Sequence, residues 1–143
     1  MSQPSHLTLE IVTPDRAVVQ EEVDEVQLPG TEGYLGILPG HTPLLTSLRV
    51  GQAWYRKGTE KFYLSIAFGF AEVLPDRVRL LALIAERAEE IDITRAEEEK
   101  RRAEALIQAA RTGAADVDFE RARVSMMKAM IRIQVAAKAR TRS

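Results

Sequence analysis

Leu80-Leu81-Ala82-Leu83-Ile84-Ala85-Glu86-Arg87-Ala88-Glu89-Glu90-Ile91-Asp92-Ile93-Thr94-Arg95-Ala96 is where the chain changes character. All six prolines precede this stretch, and of the eight glycines only Gly113 follows it. Chain punctuated by Gly and Pro reads as strands and turns. The charged, alanine-rich tail has helical periodicity and a single interruption at Thr112-Gly113. We read residues 1–86 as a β-sandwich and residues 87–143 as an antiparallel pair of helices.

Outward from that junction the strands announce themselves in short pieces. Leu7 to Thr13 ends at Pro14-Asp15, Ala17 to Val19 follows, and Val23 to Leu28 alternates up to Pro29-Gly30. Gly33 to Leu45 is too rich in Gly and Pro for a helix or a regular central strand, so short edge strands and tight turns are expected there. Arg49 to Arg56, Lys61 to Ile66, Gly69 to Val73 and Arg77 to Leu83 read as further strands, with turns near Gly58, at Gly69 and at Pro75-Asp76. Strands of this length and spacing predict an all-β sandwich or flattened barrel.

In the tail, the first helix is expected to start near Asp92 or at the capping-box pattern Thr94-Arg95-Ala96-Glu97. It buries Ala96, Ala103, Leu106, Ile107 and Ala110, and ends on Gly113. The second starts near Asp116 or Asp118 and buries Phe119, Ala122, Met126, Met130, Ile133 and Ala137. Stripes this rich in alanine bury little area, so the expectation is an arm that can leave the sandwich without unfolding it.

Composition narrows function. The 143 residues carry a net charge of −1, which gives no reason to expect nucleic acid. There is no cysteine, which excludes disulfides and thiolate metal sites. No apolar run approaches the roughly 20 residues of a bilayer-spanning helix, and the N-terminus has the pattern of neither a secretion signal nor a transit peptide. With His6 and His41 as the only histidines, the chain offers no Cys-His pair, histidine zinc site or triad spacing, and no Walker loop occurs. No catalytic residue is assigned, and Glu97-Glu98-Glu99 reads as a solvated first turn.

Two segments remain open on chemistry alone. Ile91-Asp92-Ile93-Thr94-Arg95-Ala96 is either a capped helix start or, with the Arg95 fork at a helix N-terminus and Glu86 and Asp92 as acceptors, a phosphate and nucleoside site. After Glu120 no acid occurs while Arg121, Arg123, Lys128, Arg132, Lys138, Arg140 and Arg142 follow. That run is either a solvated face or a surface for an acidic partner.

Leu35-Gly36-Ile37-Leu38-Pro39-Gly40-His41-Thr42-Pro43-Leu44-Leu45, with Val12-Thr13-Pro14 before it and Gly69-Phe70-Ala71-Glu72-Val73 after it, resembles the epsilon subunit family of the rotary proton-driven ATP synthase, bacterial type. The resemblance runs from about Leu7 into the second helix. It implies a sandwich of about ten strands and a two-helix arm, in a non-catalytic subunit peripheral to the cytoplasmic side of the bacterial inner membrane. The sandwich would bind the gamma subunit and the c-ring, the latter through Glu32 and His41, and couple ring rotation to the alpha/beta catalytic head. Tyr34 stands where some members carry an acid.

The resemblance further implies that the extended arm meets acidic segments of beta through Arg121, Arg123, Lys128 and Arg132 and blocks ATP hydrolysis. No cofactor is required, but ATP would act as a regulatory ligand of the folded arm. The family motif is matched by Ile91, Asp92, Arg95 and Ala96, its upstream acid by Glu86, and its second-helix cations by Lys128 and Arg132. Lys128 replaces the arginine of strong binders, a point charge in place of a fork. The alternative reading is an ATP sensor with little inhibition of its own.

Overall fold

Alternating burial organises the first strands. In β1, Leu7–Val12, residues Leu7, Leu9 and Ile11 point inward while Thr8 and Glu10 do not. The computed structural model describes residues 4–113 and 117–142. Strands β2 (Ala17–Val23), β3 (Glu25–Gly30), β4 (Gly33–Ile37), β5 (Leu44–Leu48), β6 (Gly51–Lys57), β7 (Glu60–Leu74) and β8 (Arg77–Arg87) follow. Their order is β2-β1-β8-β7-β5-β3-β4, with β6 pairing both β3 and β7. All pairings are antiparallel except β1 with β8, which is parallel from Thr8 opposite Arg77 to Val12 opposite Leu81.

The strands number eight among the described residues, where about ten were expected. Part of the difference lies at Gly69, read from sequence as a turn. The chain does not turn there: β7 continues for 15 residues through a bend in which Phe68 has φ 65° and Gly69 φ 125°. A Cβ at Gly69 would lie 2.1 Å from the carbonyl oxygen of Leu81 in β8, so only glycine fits. Before the bend β7 pairs with β6, and after it with β5. One long strand thereby serves both layers of the sandwich. Between the layers lie Leu7, Leu9, Ile11, Val26, Leu28, Ile37, Tyr55, Leu64, Ile66 and Leu80, all at 1% exposure or less.

β8 ends at Arg87, one residue beyond the expected boundary at 86, and Arg87 is tied into the sandwich. Its Nε and one terminal nitrogen donate to the Val18 carbonyl at 3.2 and 3.0 Å, and the other donates to the Tyr55 oxygen at 3.1 Å. A 3₁₀ turn, Ala88–Glu90, leads to α1, Ile93–Arg111. Asp92 caps α1 by accepting from the Arg95 N–H at 3.0 Å, so the start falls at the first of the two expected positions. The helix closes on Thr112 and on Gly113 at φ 81°.

α2, Phe119–Arg142, is capped by Asp118 accepting from the Arg121 N–H at 3.1 Å; Asp116 lies outside the described residues. The expected stripes hold only in part. Ala96, Ala103 and Ala122 are buried, but Leu106, Phe119, Met130 and Ala137 are exposed. The reason is that α2 serves two neighbours rather than one. Ile131, Val135, Ala136 and Ala139 pack with Ala88, Ile91, Ile93 and Tyr63 at the junction with the sandwich, while Ala122 and Ala129 are buried seven residues apart, two helical turns along one stripe.

Candidate functional site

At the joint between sandwich and helices lies a cavity of about 360 Å3. β7 contributes Ser65 and Ala67, β8 contributes Ile84 and Glu86, and Val50 precedes β6. α1 supplies Arg95 and Glu99, one turn apart, and α2 supplies Ser125, Lys128 and Arg132 at spacings of three and four. The volume sits at the lower end of the roughly 300–1,000 Å3 typical of small-molecule sites. The lining combines an apolar part (Val50, Ala67, Ile84) with a charged one of three cations and two carboxylates, a net charge of +1.

Arg132 is the centre of that charged part, with only 14% of its side chain exposed. Its Nε donates to Glu86 Oε1 at 2.8 Å, one terminal nitrogen to Glu86 Oε2 at 3.3 Å, and the other to Glu99 Oε1 at 2.7 Å. Burial works against the guanidinium charge, but hydrogen bonds and the charges of Glu86 and Glu99 outweigh it and hold the group above its ordinary pKa. The cluster therefore ties β8, α1 and α2 together through one side chain. Arg95 Nε lies 3.6 Å from the same Glu99 oxygen, and Lys128 Nζ lies 5.6 Å from the centre of the Phe68 ring. Ile91 and Ala96 are buried and position the helix start, while the Asp92 carboxylate is engaged in its cap.

Of the residues singled out from sequence, Glu86, Arg95, Lys128 and Arg132 line this one cavity. Arg121 and Arg123 do not, and Arg123 is paired with Glu120. The four α2 cations assigned to an acidic partner thus divide: Lys128 and Arg132 line the cavity at the sandwich, while Arg121 and Arg123 are exposed and outside it. Glu32 is exposed in the β3–β4 turn, where the Thr31 N–H donates to the Ser47 carbonyl at 3.0 Å near the end of β5. His41 lies past the other end of β4, where the Gly40 N–H donates to the Pro75 carbonyl at 2.7 Å. Glu32 and His41 are therefore at opposite ends of β5, and the structure does not bring them together.

A second feature escaped the sequence reading. Leu45 (73% exposed), Phe70 (58%), Leu81 and Leu83 (63%) form a continuous apolar face across β5, β7 and β8. Phe70 is directly opposite Leu81, and Glu72 and Arg79 border the patch. Contiguous exposed apolar surface with a charged border is a type of surface used for docking on another protein, a ligand or a membrane. The signal was present in Leu80-Leu81-Ala82-Leu83-Ile84, an unbroken apolar run of which only Leu80 and Ala82 are buried. Such a run leaves apolar side chains on both faces of the strand, the inner buried and the outer exposed.

Comparison with known proteins places this architecture. The family described as "ATP synthase, Delta/Epsilon chain, beta-sandwich domain" matches residues 6–88, and "ATP synthase, Delta/Epsilon chain, long alpha-helix domain" matches residues 89–137. An ATP synthase epsilon chain of Herpetosiphon aurantiacus is 48% identical over 136 residues, 95% of this chain and 98% of that relative. ATP synthase epsilon chain 2 of Syntrophotalea carbinolica is 46% identical over 130 residues, 91% of this chain and 93% of the relative. Among solved structures, a chain in the mitochondrial ATP synthase of Euglena gracilis superposes with a TM-score of 0.79 at 22% identity, covering 99% of this chain and 84% of its own. That likeness is one of fold. The paired domain matches and relatives at nearly half identity over more than nine-tenths of the sequence establish that the chain belongs to the ATP synthase delta/epsilon chain family.

Proposed function

We propose that this chain is the non-catalytic central-stalk subunit that couples c-ring rotation to the alpha/beta head, that its helical arm inhibits ATP hydrolysis, and that ATP bound at the joint holds the arm folded. The observation that carries the regulatory part is the composition of the cavity wall. Its lining comes from both the sandwich and the helices, so a ligand bound there exists only while the arm is docked. By linkage such a ligand must favour the docked state. The apolar part of the lining suits a base, and Arg95, Lys128 and Arg132 suit phosphates.

The apolar face of Leu45, Phe70, Leu81 and Leu83 supports docking of the sandwich on gamma, and Glu32 in its exposed turn supports contact with the c-ring. Arg121 on the outside of α2 supports contact of the arm with acidic segments of beta. Among the described residues no helix is long and apolar enough to cross a membrane. In this reading the c-ring contact is what holds the chain at the cytoplasmic side of the inner membrane.

Truncation after Glu90 leaves Arg87 anchored in the sandwich while removing the arm. Reconstituted with its complex, the truncated chain is expected to keep ATP synthesis coupled and to raise ATP hydrolysis. Unchanged hydrolysis would remove the inhibitory role and leave the second reading, an ATP sensor without an inhibitory arm, which the cavity alone supports.

A further inference from the structure

The charged part of the cavity lining already contains something shaped like its ligand. Arginine presents five N–H donors in a fixed fork, and here most of the fork is occupied. Two nitrogens of Arg132 face Glu86, and the third donates to Glu99 Oε1 at 2.7 Å. The same Glu99 oxygen lies 3.6 Å from Arg95 Nε. One carboxylate oxygen thus sits between two guanidinium groups, the position an anionic phosphate oxygen would take.

The two carboxylates are not equivalent. Glu86 stands on a paired strand and meets Arg132 through both of its oxygens, with 27% of its side chain exposed. Glu99 projects from a helix, engages Arg132 through one oxygen, and is 40% exposed. It can rotate into solvent without leaving a buried charge behind. Lys128 has no carboxylate partner among the described residues and lies over Phe68.

We propose that Glu99 is an internal competitor for phosphate at Arg95 and Arg132, and that it sets the nucleotide affinity of the cavity. The proposal rests on the reading of the cavity as a nucleotide site. An incoming phosphate must displace the Glu99 oxygen before it can use either guanidinium, and it then meets a retained negative charge nearby. Removing that charge raises the net charge of the lining from +1 to +2. Glu99 is thereby an affinity-determining residue that acts by occupying the binding groups, not by holding the ligand.

Glu99→Gln keeps the length and helix preference of the side chain, and its neutral amide makes a weaker bond to arginine. Calorimetry on the full chain with ATP, in the presence of a chelator so that no divalent cation bridges Glu99 to phosphate, reads the difference. We expect about tenfold tighter ATP binding by Glu99→Gln than by the natural chain, the scale of one charge-assisted hydrogen bond that no longer has to be displaced. Tripolyphosphate, which lacks the base, should gain by a similar factor. Binding that Arg95→Ala abolishes but Glu99→Gln leaves equal or weaker would overturn the competitor while leaving the nucleotide site intact. No binding by either chain at millimolar ATP, or binding indifferent to Arg95→Ala, would overturn the nucleotide site and the competitor with it.

Discussion

In the sandwich, Leu9, Ile11, Leu28, Leu64, Ile66 and Leu80 meet across a core from which water is excluded. Between the helices the corresponding positions are Ala96, Ala103, Ala122 and Ala129. Buried area scales with side-chain size, at about 25 cal/mol per Å2 of apolar surface, so the two regions are held by very different amounts of burial. Where the arm meets the sandwich, the buried cluster among the described residues is Ala88, Ile91, Val135 and Ala136, supplemented by the Glu86–Arg132–Glu99 cluster. In the proposed function, the body that stays and the arm that detaches would be distinguished by the size of the residues placed at equivalent depth. A segment that has to come away and dock again is drawn from the weakly held end of a structure.

The largest expected effect tests that contrast directly. Leu80→Ala removes a side chain with no exposure from the middle of the sandwich, and should lower the free energy of global unfolding by about 2–5 kcal/mol in chemical denaturation. Val135→Ala is equally buried but sits in the small cluster at the joint. It should leave the sandwich transition in place and instead speed amide exchange across α2, the signature of local opening. A single shared loss of stability in both variants would mean that arm and sandwich unfold as one unit, and the contrast would fail.

How much of this was legible follows the range of the interactions. The strands and helix caps rest on local rules, so alternation at Leu7-Leu9-Ile11 could be read directly, and the cap at Asp92 was one of two local candidates, beside Thr94. Lys128 and Arg132 were joint candidates through the resemblance to the family motif, and their spacing of four places them on one face of α2. Glu99 was read as part of a solvated charge run, because nothing in Glu97-Glu98-Glu99 tells which carboxylate turns toward α2. Phe68-Gly69 looks the same whether the chain reverses or merely bends. The outcome was decided by the close approach of β8, a contact made in the folded sandwich. The apolar face was missed for a related reason: each leucine alone is ordinary, and only pairing of β5, β7 and β8 makes them continuous.

A smaller effect, confined to the sandwich, comes from Tyr55. Its ring stacks on Phe62 at 5.0 Å, its hydroxyl donates to Glu21 Oε2 at 2.7 Å, and Arg87 donates back to it. Burial, followed by the hydrogen bond to Glu21, pushes the phenol pKa from 10.0 to about 12. A group whose folded pKa is raised contributes stability that is fully present below the unfolded value and lost as pH rises through the folded one. Between about pH 10 and 12 the sandwich should therefore lose stability on the order of 2–3 kcal/mol from this residue. Tyr55→Phe should flatten that part of the profile. Opening of the arm, followed by exchange in α2, should not share this component, and a Tyr55-dependent change there would show the two regions to be coupled.

The smallest effect falls on the joint itself. Asp92 is the residue at which sandwich chemistry gives way to helix, and its carboxylate accepts from the Arg95 N–H at 3.0 Å. Asp92→Ala frees that N–H and should cost about 1 kcal/mol, within the 0.5–2 kcal/mol range of lost N-caps. If arm and sandwich are separate, the loss appears as faster exchange in the first turn of α1, with no shift in the sandwich transition. The same variant sharpens the nucleotide reading. Fraying the first turn displaces Arg95 from the cavity, so ATP affinity should fall even though the cap does not line the cavity. Asp92→Asn, which restores the side-chain acceptor without the charge, should recover both the exchange rate and the binding if the cap acts by positioning. Recovery of exchange without recovery of binding would instead mean that the Asp92 charge itself takes part in holding the ligand.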